Sequence, residues 1–220
     1  MPIRKKVNKD FFKRWSKEMS YVLGFFAADG NLIINKNGSN YFSFYSADRY
    51  ILSLIKKALG SEHKLSKRSI RSGHVYRFQI GSKVICSDLL LLGFTPLKSR
   101  RMKMPIVPNE YINDFIRGYF DGDGNVWSGY MKRKNSKSTL TLQVAFTSGS
   151  SGFLKDLWKT LKLLGVNGGS FYPVKNKECS RLSFGVNDAL KLYKIMYNEP
   201  HKLYLTRKKL VFEKFIKMRL

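Results

Sequence analysis

The sequence predicts an α+β protein made of two pseudo-twofold-related αββαββα repeats, each an antiparallel sheet with its helices behind one face. Three observations carry this. The run YVLGFFAADG (residues 21–30) returns as FIRGYFDGDG (115–124), and their final acids, Asp29 and Asp123, are 94 residues apart. The same order of helix, hairpin, helix, hairpin, helix follows in both halves. The strands alternate between apolar and polar residues, the pattern of a half-buried sheet. A period this long with only two copies fits a duplication and not a solenoid.

In the first repeat, a helix ending near Gly30 leads into NLIIN and YFSFYS around Asn37-Gly38, a strong hairpin signal. SADRYILSLIKKALG is a second helix, with Ser46 or Asp48 as N-cap, Ile51, Leu54, Ile55, Ala58 and Leu59 on one face, and Gly60 as its stop. HKLSKRSI and VYRFQIGS form a hairpin turning at Ser72-Gly73, and VICSDLLLLG closes the unit. The second repeat runs from a helix over 111–123 through strands NVWSGYMKR and STLTLQVAFTS to the helix FLKDLWKTLKLLG. Strands GSFYPVK and SRLSFGV, the helix NDALKLYKIMY and a basic helix RKKLVFEKFIKM complete it. The repeats are expected at residues 1–97 and 111–220, joined by a basic, proline-containing linker at 98–110.

Charge narrows the partner. The chain has 41 Lys+Arg against 15 Asp+Glu, a net charge of +26, spread over both halves. Such an excess repels itself unless a polyanion neutralises it, so DNA or RNA leads, with ribosomal RNA or an anionic membrane surface behind. No apolar run is long enough to span a bilayer. The basic N-terminus lacks the apolar core of a secretory signal, which leaves a short transit segment open and points to an intracellular protein. Cys86 and Cys179 stand apart from each other and from any His, so neither a zinc site nor a disulfide framework is encoded.

The strand alternation leaves one polar face open on each sheet. In the first repeat that face carries Tyr41, Ser43, Tyr45, Arg77 and Gln79; in the second, Thr141, Gln143, Arg181 and Ser183. Arg and Gln make paired contacts to guanine and adenine in the major groove, where a β-ribbon fits. The hairpin tips are basic: Lys36 at the first, Lys67, Arg68 and Arg71 at the second. Lys132, Lys134 and Lys137 mark the third, and Lys175 and Lys177 the fourth. Such tips suit phosphate contacts, which fix register without reading sequence.

The paired motif supplies the chemistry. Gly24, Ala27 and Ala28 fall at helical i, i+3 and i+4, as do Gly118, Asp121 and Gly122. Small residues in that stripe let two helices approach closely and form a seam. Asp29 and Asp123 then end their helices, where a carboxylate opposes the helix dipole at a cost of ~0.3–1 kcal/mol. A hard divalent cation offsets that cost, and Mg²⁺ suits oxygen donors beside a phosphate.

The two motifs, their spacing and the approach LKSRRMKMPIVPNEYINDFIRGYFDGDGNV resemble the LAGLIDADG homing endonucleases of the single-chain, two-motif type. The resemblance implies a saddle of two sheets over a long double-stranded DNA target, held by a monomer with internal pseudo-twofold symmetry. It implies that Asp29 and Asp123 bind metal and the scissile phosphates, that the carbonyls of Ala28 and Gly122 are further ligands, and that both strands are cut. A basic helper is also expected, either Lys83, after the fourth strand, or Lys98 in the linker. The sequence departs from the pattern at Ala27, where an acid is common, and the second repeat has no lysine matching Lys83. The alternative is an intron maturase or a DNA- or RNA-binding regulator on the same fold without cleavage.

Overall fold

A computed structural model of the chain describes residues 5–70, 73–132 and 137–219. It divides into two compact units, one comprising Met1–Lys98 and Pro105–Gly122, the other Ser99–Met104 and Asp123–Leu220. Arg71 and Lys134 lie outside the described residues.

The first unit opens with α1 (Lys17–Asp29), which starts where Ser16 caps the Met19 N–H and is buried almost throughout. Strands β1 (Gly30–Ile34), β2 (Asn40–Ser46), β3 (Leu65–Ile70) and β4 (Gly73–Gly81) pair antiparallel in the order β1-β2-β4-β3. Helix α2 (Arg49–Ala58) separates the hairpins, and Asp48, not Ser46, is its N-cap. Helix α3 (Lys83–Leu91) follows β4 under a Ser82 cap. Phe42, Phe44, Phe78 and Ile80 turn to the helix side and are fully buried. There Phe26 meets Phe44 and Phe94 edge-on at ring separations of 5.6 and 5.4 Å.

Helix α4 (Ile112–Asp123) follows a short 3₁₀ turn, Asn109–Tyr111, so the regular helix starts one residue later than the spacing predicts. All of α4 but its last residue groups with the first unit, not the second. The reason is its packing on α1. A Cβ at Gly24 would lie 2.1 Å from the Phe115 carbonyl oxygen, and one at Gly118 2.0 Å from that of Tyr21. The two backbones therefore touch where neither has a side chain. Polar groups cross the seam: the Tyr21 hydroxyl donates to Asp121 at 2.7 Å, and buried Arg117, paired with Asp114 within α4 at 2.6 Å, lies over the Tyr21 ring at 5.3 Å. Asp121 thus serves as the acceptor that fixes α4 against α1, while its counterpart Ala27 is simply buried.

The second unit repeats the plan. Strands β5 (Gly124–Met131), β6 (Thr139–Ser148), β7 (Ser170–Pro173) and β8 (Ser180–Phe184) pair in the order β5-β6-β8-β7. Helices α5 (Ser151–Leu163) and α6 (Val186–Tyr197) cover the apolar face through Leu157, Leu161, Ala189 and Leu192. Helix α7 (Thr206–Arg219) packs on β5. No helix among the described residues is long and apolar enough to cross a membrane.

Candidate functional site

The end of α1 is unusual for a helix C-terminus. The last turn holds no basic residue of its own, yet its free carbonyls face a buried cation. Lys98 Nζ donates to the Ala27 carbonyl at 2.6 Å and to that of Ala28 at 3.5 Å, with only 6% of the residue exposed. A cation at a helix C-terminus is favoured by the dipole, and here it stands one residue from the half-buried Asp29. The chain turns into this position through Leu97, a non-glycine residue at φ 58°. That left-handed backbone costs about 1–2 kcal/mol, and it is spent immediately before the buried lysine.

The second motif has its own buried lysine. Lys208 on α7 is 5% exposed, and its Nζ donates at 2.6 Å to the carbonyl of Gly124, the residue after Asp123. Read from the sequence, α7 is only a basic helix and Lys208 has no assigned role. The signal was present: Lys208, Phe212 and Phe215 recur at i, i+4 and i+7, and those three are the buried residues of α7. A lysine on an apolar stripe is buried for a reason.

Lys83 lies elsewhere. It starts α3 and is exposed, with Nζ 3.1 Å from where a Cβ at Gly38 would stand, in the turn joining β1 and β2. Gly30 pairs with Phe44 at one end of that hairpin and Ile34 with Asn40 at the other. Lys83 is therefore a strand's length, roughly 13 Å, from the acid end. Of the two helpers expected from the sequence, Lys98 is the one placed beside an acidic motif.

Gly122 is shaped by the first motif. A Cβ there would come within 2.3 Å of the Ala28 Cβ and 3.4 Å of the Asp29 carboxylate. Asp123 follows it as the last residue of α4 and is exposed. Among the described residues no three His, Cys, Asp or Glu side chains gather. Each motif helix ends on a carboxylate flanked by main-chain carbonyl oxygens, a hard-oxygen donor set. That set fits a Mg²⁺-like ion, which takes one or two carboxylates and completes its shell with phosphate and water. It does not fit zinc.

The open faces hold most of the expected contact residues. Arg77 and Gln143 are exposed; Tyr41, Tyr45, Gln79, Thr141, Arg181 and Ser183 are half-buried and stand in adjacent rungs of their sheets. Ser43 is the exception. At 2% exposure it is covered between Asn31 on β1 and Gln79 on β4, so its hydroxyl does not present to solvent. A short side chain in a central strand is shaded by longer neighbours. The tips Lys36, Lys67, Arg68, Lys132, Lys137, Lys175 and Lys177 are all exposed. Trp127, absent from the expected set, stands opposite Gln143 and is 43% exposed. Its indole lies along the strand over Gly129, where a Cβ would meet the ring at 2.8 Å.

Residues 110–195 match the family model described as a LAGLIDADG-like domain. The chain is similar to the uncharacterized protein MJ0398 of Methanocaldococcus jannaschii, 27% identical over 126 residues. That match spans 54% of this chain and less than half, 43%, of the relative's length. Among solved structures, a lysine-to-alanine variant of I-SmaMI aligns at TM-score 0.66 and 14% identity, over 93% of this chain and 90% of that one. The I-LtrWI LAGLIDADG homing endonuclease bound to target DNA aligns at TM-score 0.62 and 14% identity, covering 96% and 90%. Residues 110–195 are thus similar to a LAGLIDADG-like domain, and over nearly its whole length the chain has the fold of these solved proteins.

Proposed function

We propose that the chain is a homing-type endonuclease that binds a long double-stranded DNA site as a monomer and cuts both strands with a divalent metal. The observation supporting this most is the duplicated helix end. Each repeat has an acid, a following glycine and a buried lysine hydrogen-bonded to main chain within two residues of that acid. Nothing about packing alone requires that set twice. Further support comes from the solved proteins of this fold: I-LtrWI is bound to target DNA, and I-SmaMI to an uncleaved DNA target with calcium ions.

In this reading, Asp29 and Asp123 each offer a carboxylate to a divalent cation, Mg²⁺ by hardness, with the Ala28 and Gly122 carbonyls as further donors. Such an ion supplies an activated water and steadies the leaving oxygen. Lys98 and Lys208 hold fixed positive charge beside the acids, which lowers the repulsion of an incoming phosphate and stabilises negative charge that develops on it. Both are held by carbonyls, so they need not reorganise during reaction. Arg77, Gln79, Gln143 and Arg181 read bases from the open faces, and the exposed tip lysines hold phosphates. Lys83 joins the phosphate contacts.

The test is to incubate the protein with a randomised duplex library, with and without Mg²⁺, and sequence the ends. Paired cuts at one site are expected, lost without metal. Asp29→Asn and Asp123→Asn should each reduce cutting by at least ~100-fold while still binding DNA. Binding without any cut in the unaltered protein would establish a maturase- or regulator-like protein instead. Cutting that survives either Asn substitution would remove the acids from the mechanism.

A further inference from the structure

A cleft of the first unit is basic and lies beside its open sheet face. It has a volume of about 1090 Å³ and is walled on the sheet side by Tyr41, Arg77 and Gln79. Lys5, Lys6 and Lys9, from the stretch of the first repeat ahead of α1, line it as well. Lys64 and Lys83 add to the wall, and no Asp or Glu lines the cleft among the described residues.

Residues 5–9 are held in place as an added edge. The Lys6 N–H donates to the Glu62 carboxylate at 3.1 Å, the Glu62 N–H returns a bond to the Lys6 carbonyl at 3.0 Å, and the Asn8 N–H donates to the Leu59 carbonyl at 3.0 Å. Glu62 is thus occupied by main chain and Asp10 pairs with Lys13 at 2.6 Å, while the side chains of Lys5, Lys6 and Lys9 are exposed. The same positive field reaches His63, whose pKa is lowered by burial and then by Lys5 and Lys56. So many like charges around one open cleft repel one another unless an anion lies between them. A lining with five lysines and an arginine suits an anion rather than an apolar ligand, and its continuity with Arg77 and Gln79 selects a duplex already lying on the sheet.

We propose that residues 5–9 form a phosphate clamp that grips the DNA backbone alongside the first sheet, independent of base sequence. This rests on the reading that the open face binds DNA. The clamp adds affinity and register, and takes no part in cutting.

The test measures binding to a random-sequence duplex of about 30 base pairs from 50 to 300 mM KCl, on protein whose fold is checked by its melting curve. Each neutralised phosphate contributes about 0.9 to the slope of log affinity against log salt. The triple variant Lys5→Ala/Lys6→Ala/Lys9→Ala should therefore lose about 2 to 3 from the slope. The triple Lys-to-Arg variant should keep it. Removing three lysines from the helix side of the second unit (Lys155, Lys159 and Lys162) should change it by less than about 1. An unchanged slope in the Lys5/Lys6/Lys9 alanine variant, or an equal loss in the α5 control, overturns the clamp. Failure of the unaltered protein to bind any duplex overturns the DNA reading itself.

Discussion

Gly24→Ala puts one methyl group where two helix backbones meet. The new Cβ would lie 2.1 Å from the Phe115 carbonyl oxygen and 2.9 Å from the Tyr119 nitrogen. Ordinary contact begins at 3.4 Å, so the closest approach is about 1.3 Å too short. Both offending atoms are main chain inside α4, so no side chain can swing aside. Relief requires α4 to back away from α1, loosening Tyr21, Phe25, Phe115 and Tyr119, all fully buried. Overpacking of this kind costs about 1–3 kcal/mol or more, against a gain of about 1 kcal/mol from replacing a helical glycine. With rigid main chain as the obstacle the cost falls at the upper end of that range, about 2–3 kcal/mol, so the expected net is a loss of about 1–2 kcal/mol, or a drop of about 2–8 °C in melting temperature for a chain this size. Gly152→Ala on α5 is the internal control, because the nearest atom to its Cβ is Ser150 Oγ at 3.8 Å. There only the helix-propensity gain of up to about 1 kcal/mol operates. Thermal melts of both variants should move in opposite directions. A Gly24→Ala protein as stable as the original would refute the close crossing of α1 and α4.

Other consequences follow from single groups. The His63 pKa is lowered in the folded state, so the fold favours the neutral ring. Its contribution is complete above about pH 6.5 and is lost as pH falls, because the unfolded chain then binds the extra proton. Melting temperature should fall from pH 7 to pH 5, and more steeply than in His63→Asn; equal slopes would remove His63 from the account. The Trp127 ring lies over Gly129 on the open face of the second sheet, an apolar surface suited to a thymine methyl. In a duplex selected for binding, replacing dT by dU at the facing position should weaken affinity by about 0.8 kcal/mol, near fourfold, and Trp127→Gln should abolish that sensitivity. A duplex indifferent to every dT-to-dU change would exclude methyl contact.

The repeat, its element order and the faces of its strands were all legible in the sequence, since they depend on local rules. Alternation at period two separates Phe42, Phe44 and Phe78 from Arg77 and Gln79 without knowledge of any neighbour. The small stripe Gly24–Gly118 likewise announces a close helix contact, because only missing side chains permit one. What tertiary structure alone decided was which distant groups arrive at a given atom. Lys83 and Lys98 are equally basic in the sequence, but the strand ladder carries Lys83 to the hairpin turn. The backbone turn at Leu97 delivers Lys98 to the end of α1. Lys208 reaches Gly124 across 84 residues, and residues 5–9 reach Glu62 across more than 50. Such contacts depend on chain path and packing, which no local period encodes. Ser43 shows the same limit: its face was correctly placed, but its burial depends on the height of its neighbours.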